Sequence, residues 1–505
     1  MAALNILKRF MVRHAGNERL LARRVLLALW RKEASADELT PFLRPLFTVA
    51  YFVTFYEYLA VWLIATGGRL PPTHAVGNGS LVRALFPAIA KWLHTTFVER
   101  RPTMPPVNDV QGMAFVTRVL EGLEGHLTFL RAFGPAARVG EIRGQVEDVW
   151  RRASPRWILS STFASNIGHM VYAATIIQLV RDGRIDGGEV SILRGHTRNP
   201  YLHSLFEPYM IDDMPADAVY AEWISTRKRY PTTDGRRIVM INAVSEAARV
   251  WGAAGRPFFT LDAELKARGD AVLAELGVPA GAPIVTLHVR EAGYNDRRMH
   301  GQMRLRDAEI ATYGAAVEWL GKAGFHVVRL GDASMVPAPD WAKFTDYPFS
   351  DAKAHWMDIY LAARCAFHIG TSSGMSFVPL LYGRPVVFTN WPTAAHMICA
   401  PGVINLPKVL LDQDGGVVPF VDYCGDHREI LEASEAELFG LSFRDNSPDE
   451  ILEAVQLMAE HLPADGSTLV LPDEPFEPVW RVSATAPVAN MPRIPPGFFQ
   501  RVYGG

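Results

Sequence analysis

The chain has 505 residues, 49% of them hydrophobic and 21% charged, with a formal net charge of -2. That balance excludes a disordered chain and, at roughly 100 to 200 residues per domain, leaves room for about three domains. A pI of about 6.7 argues against a dedicated nucleic-acid binder, which needs a cationic face to neutralise phosphate.

The first 32 residues carry eight Lys or Arg (Lys8, Arg9, Arg13, Arg19, Arg23, Arg24, Arg31, Lys32) against one acid, Glu18. Arginines break the apolar stretch and no small-residue cleavage pattern follows, so no secretory signal is read here. Arg19 and Arg23 sit four apart, and Leu21, Val25 and Leu29 repeat at the same interval, which predicts a helix with a basic face beside an apolar one. Such a face is either solvated or a contact for anionic lipid. Residues 45–66 follow, 22 residues with only Glu57 charged. Their length suits a membrane span, but a central carboxylate costs roughly 2.5 to 3.5 kcal/mol on insertion scales. A buried helix or an in-plane membrane helix is therefore preferred to a span. Helical patterning continues over 79–96, 109–132 and 139–153, so residues 1–150 are expected to form an all-α region, with membrane association left open.

From residue 156 the texture changes to short apolar runs separated by helical stretches, the pattern of parallel sheets wrapped by helices. Strands are expected at 157–160, 189–193 and 237–241, with a helix opening at Asn166 and running to about 181. A helix over 263–276 and the Pro/Gly segment 277–283 mark a boundary, which gives an α/β domain over 151–280 and a second over 281–462. In the second, strands are expected at 284–288, 326–330, 366–369 and 385–389, and helices at about 307–323, 355–364 and 374–382. Residues 463–505 hold eight prolines with Phe476, Trp480, Phe498, Phe499 and Tyr503 interleaved. They cannot form a long helix, and the aromatics imply a tail packed along the body or a partner-binding one.

Polar residues gather where the second domain's strands run out: Arg290 and Glu291, then Gly331 and Asp332, then Thr371, Ser372 and Ser373, then Asn390. In an open parallel sheet these carboxyl ends line one crevice, and ligands bind there. Thr371, Ser372, Ser373 and Gly374 turn a buried strand into a helix start, whose free amides attract phosphate, although an ordinary N-cap uses the same residues. His288 and Arg290 point to one face of their strand, and a fixed guanidinium suits a diphosphate. The competing account pairs Arg290 with Glu291 or Asp332 in a structural ion pair. Arg297, Arg298, Arg304 and Arg306 add positive charge nearby. Asn166, Ile167, Gly168 and His169 form a third constellation, expected to lie across a cleft from Arg290, with His169 a candidate base because its intrinsic pKa lies near neutrality. Glu291, Asp332 and Asp358 are carboxylate candidates, Asp358 the most structural of them.

Absences narrow the chemistry. There is no GxxxxGK[ST], no GxSxG and no HExxH. Asp412-Gln413-Asp414 lies before Gly415 and Gly416 and reads as a turn, so no required metal is indicated. Cys365, Cys399 and Cys424 have no CxxC spacing, which points away from a disulfide framework or a cysteine zinc site. The chain reads as cytoplasmic, with the inner face of the plasma membrane as a peripheral location.

The run Leu287-His288-Val289-Arg290-Glu291-Ala292-Gly293-Tyr294, then Arg306-Asp307-Ala308-Glu309-Ile310 with Tyr313, Arg329-Leu330-Gly331-Asp332, Met357-Asp358-Ile359 and Ile369-Gly370-Thr371-Ser372-Ser373-Gly374, resembles a group of bacterial glycosyltransferases distantly similar to fucosyltransferase-like enzymes with an H-x-R motif. The resemblance is strong over about 283–392, weaker over 155–282 and absent before 150. It implies a GT-B architecture, two facing Rossmann-like domains with the nucleotide-sugar held mainly by the second. It further implies that Arg290 meets the donor diphosphate, that Ser372, Ser373 and Gly374 lie beside phosphate or ribose, that Asn166 to His169 border the acceptor, and that His288 supports the arginine or touches the donor. No cofactor is expected beyond the nucleotide-sugar co-substrate. The acceptor would be a glycan, a lipid-linked glycan or a protein, and no nucleic acid is expected as a partner. A GT-B nucleotide-sugar epimerase and a catalytically silent scaffold are the alternatives.

Overall fold

Helix and strand segregate along the chain as the patterning predicts. The computed structural model describes residues 2–13, 18–39, 42, 52–68, 91–99, 110–151, 156–185, 188–213, 219–221, 229–234, 237–291, 304–425, 430, 432–463, 469–473, 476 and 492–504. They group into two units, residues 1–155 with 217–221, and residues 156–216 with 222–505.

The first unit is helical: α1 (Ala2–Arg13), α2 (Glu18–Trp30), α3 (Phe52–Thr66), α4 (Val110–Phe129) and α5 (Phe133–Arg151). Leu120, Leu123 and Leu127 of α4 and Val139, Ile142 and Val146 of α5 recur at helical spacing and are buried. Glu57, the one charge in the apolar stretch, finds its place through two residues of α4. A Cβ on Gly122 would lie 2.0 Å from the Glu57 carboxyl carbon, so only glycine leaves room, and one turn later His126 Nε2 stands 3.0 Å from Glu57 Oε2. No described helix is long and apolar enough to cross a membrane. The basic face expected on α2 is partly internal. Arg23 is buried with its guanidinium 4.4 Å from the Phe129 ring centre, and Arg24 pairs with Glu33 at 2.9 Å. The expected helical segment 79–96 is described only from residue 91.

In the second unit, β1 (Arg156–Leu159), β2 (Glu189–Leu193) and β3 (Met210–Ile211) pair in parallel in the order β3-β2-β1. Helix α6 (Ile167–Arg181) follows β1 and is buried from Met170 to Leu179. The strand expected at 237–241 stops at Val239, after an antiparallel pairing with Arg229–Pro231, and α7 (Met240–Ala248) takes over. A short apolar run such as Ile238 to Ile241 carries no period that separates strand from helix. Helix α8 (Ala263–Glu275) lies as expected.

The larger sheet contains β4 (Ile284–His288), β5 (His326–Arg329), β6 (Phe344–Thr345), β7 (Phe367–Gly370), β8 (Val386–Trp391) and β9 (Val403–Pro407), all parallel, in the order β9-β8-β7-β4-β5-β6. Counted from its own first strand this is the doubly wound order 3-2-1-4-5-6, and the switch point lies between β4 and β7. Both strands are fully buried, as near-continuous apolar runs in parallel sheets require. Two helices differ from expectation. The 307–323 segment, preceded by a 3-10 turn at Arg304–Arg306, forms a further 3-10 turn at Ile310–Tyr313 before α9 (Gly314–Lys322), whereas α10 (His355–Arg364) has the expected ends. The segment after Gly374 is a 3-10 turn, Met375–Phe377, and then a single turn, α11 (Val378–Leu381). Pro379 has no N–H to bond the Met375 carbonyl, so the first α-helical bond cannot close there.

The described parts of the tail lie on the body. Asn405 N–H, on β9, donates to the Arg493 carbonyl at 2.7 Å, and Leu471 N–H donates to the Pro401 carbonyl at 3.2 Å. Helix α13 (Pro496–Tyr503) sets Phe499 and Tyr503 against Phe420, with ring centres 5.3 and 5.1 Å apart, and Phe498 N–H bonds Glu453 of α12 (Pro448–Glu460) at 2.9 Å. Trp480 lies outside the described residues.

Candidate functional site

Register brings the two expected constellations of the larger sheet together. His288 pairs with Gly370 across β4 and β7, and the chains stay joined beyond the strands: Thr371 N–H donates to the His288 carbonyl at 3.1 Å, and Arg290 N–H donates to Thr371 Oγ1 at 2.9 Å. Arg290 and the serine bend therefore share one rim of the switch point. Thr371 is fully buried, whereas Ser372, Ser373 and Gly374 are part-exposed. Because the following helix is so short, the bend offers amides and hydroxyls with little helix dipole behind them.

Arg290 is in an ion pair, with neither of the partners named by the sequence. Its guanidinium bonds the Asp307 carboxylate, and Ala308 N–H returns to the Arg290 carbonyl at 3.0 Å. Lys408, 4% exposed, holds the same stretch from the far side by donating to the Asp307 carbonyl at 2.9 Å and pairing with Asp445. Glu291 faces away from Arg290. Its carboxylate accepts from Arg329 at 3.2 Å and from Val336 N–H at 2.7 Å, a buried anchor for the loop after β5. Asp332 accepts from Ser334 N–H at 2.8 Å within that loop.

His288 is buried and its Nδ1 has no hydrogen-bond partner among the described residues. Burial, reinforced by the Arg329 charge, holds its pKa down at about 4, so the ring is neutral near pH 7. On the same face, His368 is bonded to Thr286 at 2.9 Å and is likewise kept neutral by burial. Gly370 makes room there, since a Cβ would meet Ser376 Oγ at 2.3 Å and His368 Nε2 at 2.5 Å.

The Asn166 to His169 turn abuts the serine bend directly. A Cβ on Gly374 would lie 2.5 Å from the Gly168 nitrogen, and one on Gly168 would lie 3.0 Å from the Gly374 Cα. Two glycines allow backbone to touch backbone here. Asn166 opens α6 without a side-chain cap bond, its amide engaging Ser165 Oγ at 3.1 Å instead. His169 Nδ1 lies 3.1 Å from the Thr162 carbonyl, which can only accept. Asn166 Nδ2 also approaches Nδ1, at 3.3 Å, and placing the hydrogen on Nδ1 satisfies the shorter Thr162 contact and leaves the lone pair on Nε2. Burial lowers the His169 pKa, the Thr162 bond partly opposes this, and the Arg306 charge lowers it further.

Asn390, at φ 48°, is clasped to Asn446: its N–H bonds Asn446 Oδ1 at 2.5 Å and its Oδ1 accepts from Asn446 N–H at 2.7 Å. It is buried beside Tyr313, with its side chain engaged in these bonds. Asp358 pairs with Lys353. Asp412 closes the turn at 412–416 by accepting from Asp414 and Gly416 N–H. Among the described residues no three His, Cys, Asp or Glu side chains gather as a metal-ligand set. Arg297 and Arg298 lie outside the described residues. Arg306, expected only to add positive charge, reaches Ser372 across 66 positions, and Lys408, which the sequence did not mark, reaches Asp307 across 101. The only local signal was the adjacency of Arg306 and Asp307 within the quoted motif.

No family model and no curated protein matches the chain. Among solved structures the chain is similar to a family 9 glycosyl transferase from Veillonella parvula, at 11% identity over 60% of this chain and 97% of that one, with a TM-score of 0.32. It is similar also to the ADP-heptose LPS heptosyltransferase II of E. coli, at 11% identity over 60% and 98%, with a TM-score of 0.33. A third is the iron-containing dodecameric glycosyltransferase TibC of enterotoxigenic E. coli, at 14% identity over 46% and 58%, with a TM-score of 0.24.

Proposed function

We propose that the chain is a glycosyltransferase that moves a sugar from a nucleotide-sugar donor to an acceptor hydroxyl. The observation that carries this reading is the placement of Arg290 and the serine bend, bonded to each other at the switch point of a 3-2-1-4-5-6 parallel sheet. Sheets of this kind bind nucleotides in the crevice outside that point. In this reading Arg290 and the amides and hydroxyls of Ser372 to Gly374 receive the donor diphosphate and stabilise it as it departs. Such electrostatic support is worth about 3 to 4 kcal/mol per well-placed donor in other enzymes, so no metal is obligatory. His169 takes the proton of the acceptor hydroxyl through Nε2. The protein then has the GT-B arrangement, with the smaller sheet on the acceptor side. The acceptor is a glycan, a lipid-linked glycan or a protein, met in the cytoplasm at the inner face of the plasma membrane, where α1, with exposed Lys8, Arg9 and Arg13, faces anionic lipid.

The test is a thermal-shift panel of UDP, GDP, CMP, dTDP and ADP. One of these at about 100 times its Kd is expected to stabilise the fold by roughly 2.7 kcal/mol, and Arg290→Lys to weaken that response. The Arg290–Asp307 pair favours a second reading, a silent scaffold in which the arginine is structural. Absence of any nucleotide response would select the scaffold.

A further inference from the structure

We propose that Arg306 is a positioning residue for His169: its guanidinium pins the serine bend onto the start of α6 and thereby fixes the place and direction of His169 Nε2. The inference rests on the glycosyl-transfer reading, because that reading makes His169 the base. Arg306 ends the 3-10 turn Arg304–Arg306, and its Nε donates to the Ser372 carbonyl at 2.7 Å. Two residues further on, Gly374 is packed against the Gly168 backbone, and the residue after Gly168 is His169. The contact from Arg306 to the base thus runs through backbone, which does not change rotamer. The same dipeptide serves both halves of the site, since Asp307 engages Arg290 while Arg306 holds the bend. Lys408 anchors it from behind through the Asp307 carbonyl.

The groups that face the imidazole act in opposite directions, the Thr162 carbonyl against burial and Arg306 with it. The Thr162 carbonyl from the 162–165 turn and the Asn166 amide both approach Nδ1, at 3.1 and 3.3 Å, the closer carbonyl favouring the hydrogen there. Tyr172, one turn along α6, stacks at 6.3 Å between ring centres, and burial keeps its hydroxyl protonated and uncharged. Arg306, from the 304–306 turn, supplies a positive charge that disfavours imidazolium, so the neutral ring that a base requires is maintained.

The experiment uses the full chain labelled with 13C at histidine Cε1, with the His169 signal assigned by its loss in His169→Gln. Its titration is followed in the native protein, in Arg306→Gln and in Arg306→Lys. The native midpoint is expected below 6.5, the Gln variant is expected to titrate at higher pH, and the Lys variant, which keeps the charge, is expected to match the native protein. A Gln variant with the native midpoint overturns the proposal, as does a Lys variant displaced upward. The Lys variant decides alone should Arg306→Gln fail to fold. A nucleotide panel without response would remove the glycosyl-transfer reading yet leave the His169 displacement measurable, so the two failures are distinguishable.

Discussion

Arg290 meets any incoming diphosphate with a carboxylate already in its grasp. Because Asp307 competes for the same guanidinium, Asp307→Asn is expected to tighten binding of inorganic pyrophosphate or of the responding nucleotide, on the order of tenfold, by calorimetric titration. Weaker binding would mean that Asp307 orients the arginine instead of blocking it. His288 makes a second prediction. Its folded pKa of about 4 lies below the ordinary 6.5, so between these values the unfolded chain takes up a proton that the folded one refuses. Stability is therefore full above pH 6.5 and is lost as pH falls toward 4, by about 3 kcal/mol from this group. Denaturant unfolding at pH 7 and pH 5 should show the loss, and His288→Gln should flatten it; an equal slope in the variant would assign the effect to His368 or elsewhere. At this scale the strand-end residues were legible because a parallel strand must turn polar where it leaves the core. The bonds made by Arg306 and Lys408 were not, since the carbonyls they reach are distant in sequence and carry no side-chain signal.

The bend after β7 and the start of α6 depend on two small residues meeting. Gly374 has an ordinary helical φ of -55°, so replacing it costs nothing in backbone conformation. Its Cβ would nonetheless fall 2.5 Å from the Gly168 nitrogen, and backbone cannot move aside as a flexible side chain can. Gly374→Ala is expected to lower stability by about 1 to 3 kcal/mol in thermal unfolding and to weaken nucleotide binding as well. Gly168→Ala should cost less, because alanine suits the first turn of α6 and the contact is 3.0 Å. A Gly374→Ala protein that melts like the native one would show that the two turns move independently. Element ends were readable where a clear signal existed, as at Ile167–Arg181 and His355–Arg364. They failed at Met240, where an apolar run carries no period, and after Gly374, where Pro379 shortens the helix.

Each of the two units has its own buried apolar interior, in the helices of one and around the parallel sheets of the other. Scanning calorimetry of the full chain should accordingly resolve two transitions, with the responding nucleotide raising only one of them. A single transition displaced as a whole would show the units to be thermodynamically coupled. At the scale of the molecule, the alternation of short apolar runs and helices made the α/β class legible. Strand order was not, because hydrophobic patterning says which segments are strands and leaves their neighbours to long-range packing.

The bond between Asn405 and Arg493 also has a consequence for biosynthesis. Strand β9 leaves the ribosome about 90 residues before the segment that covers its outer side, which at typical elongation rates is roughly 5 to 20 seconds. Throughout that interval the nascent sheet presents an open flank to other chains, and chaperone demand during expression should fall on this window.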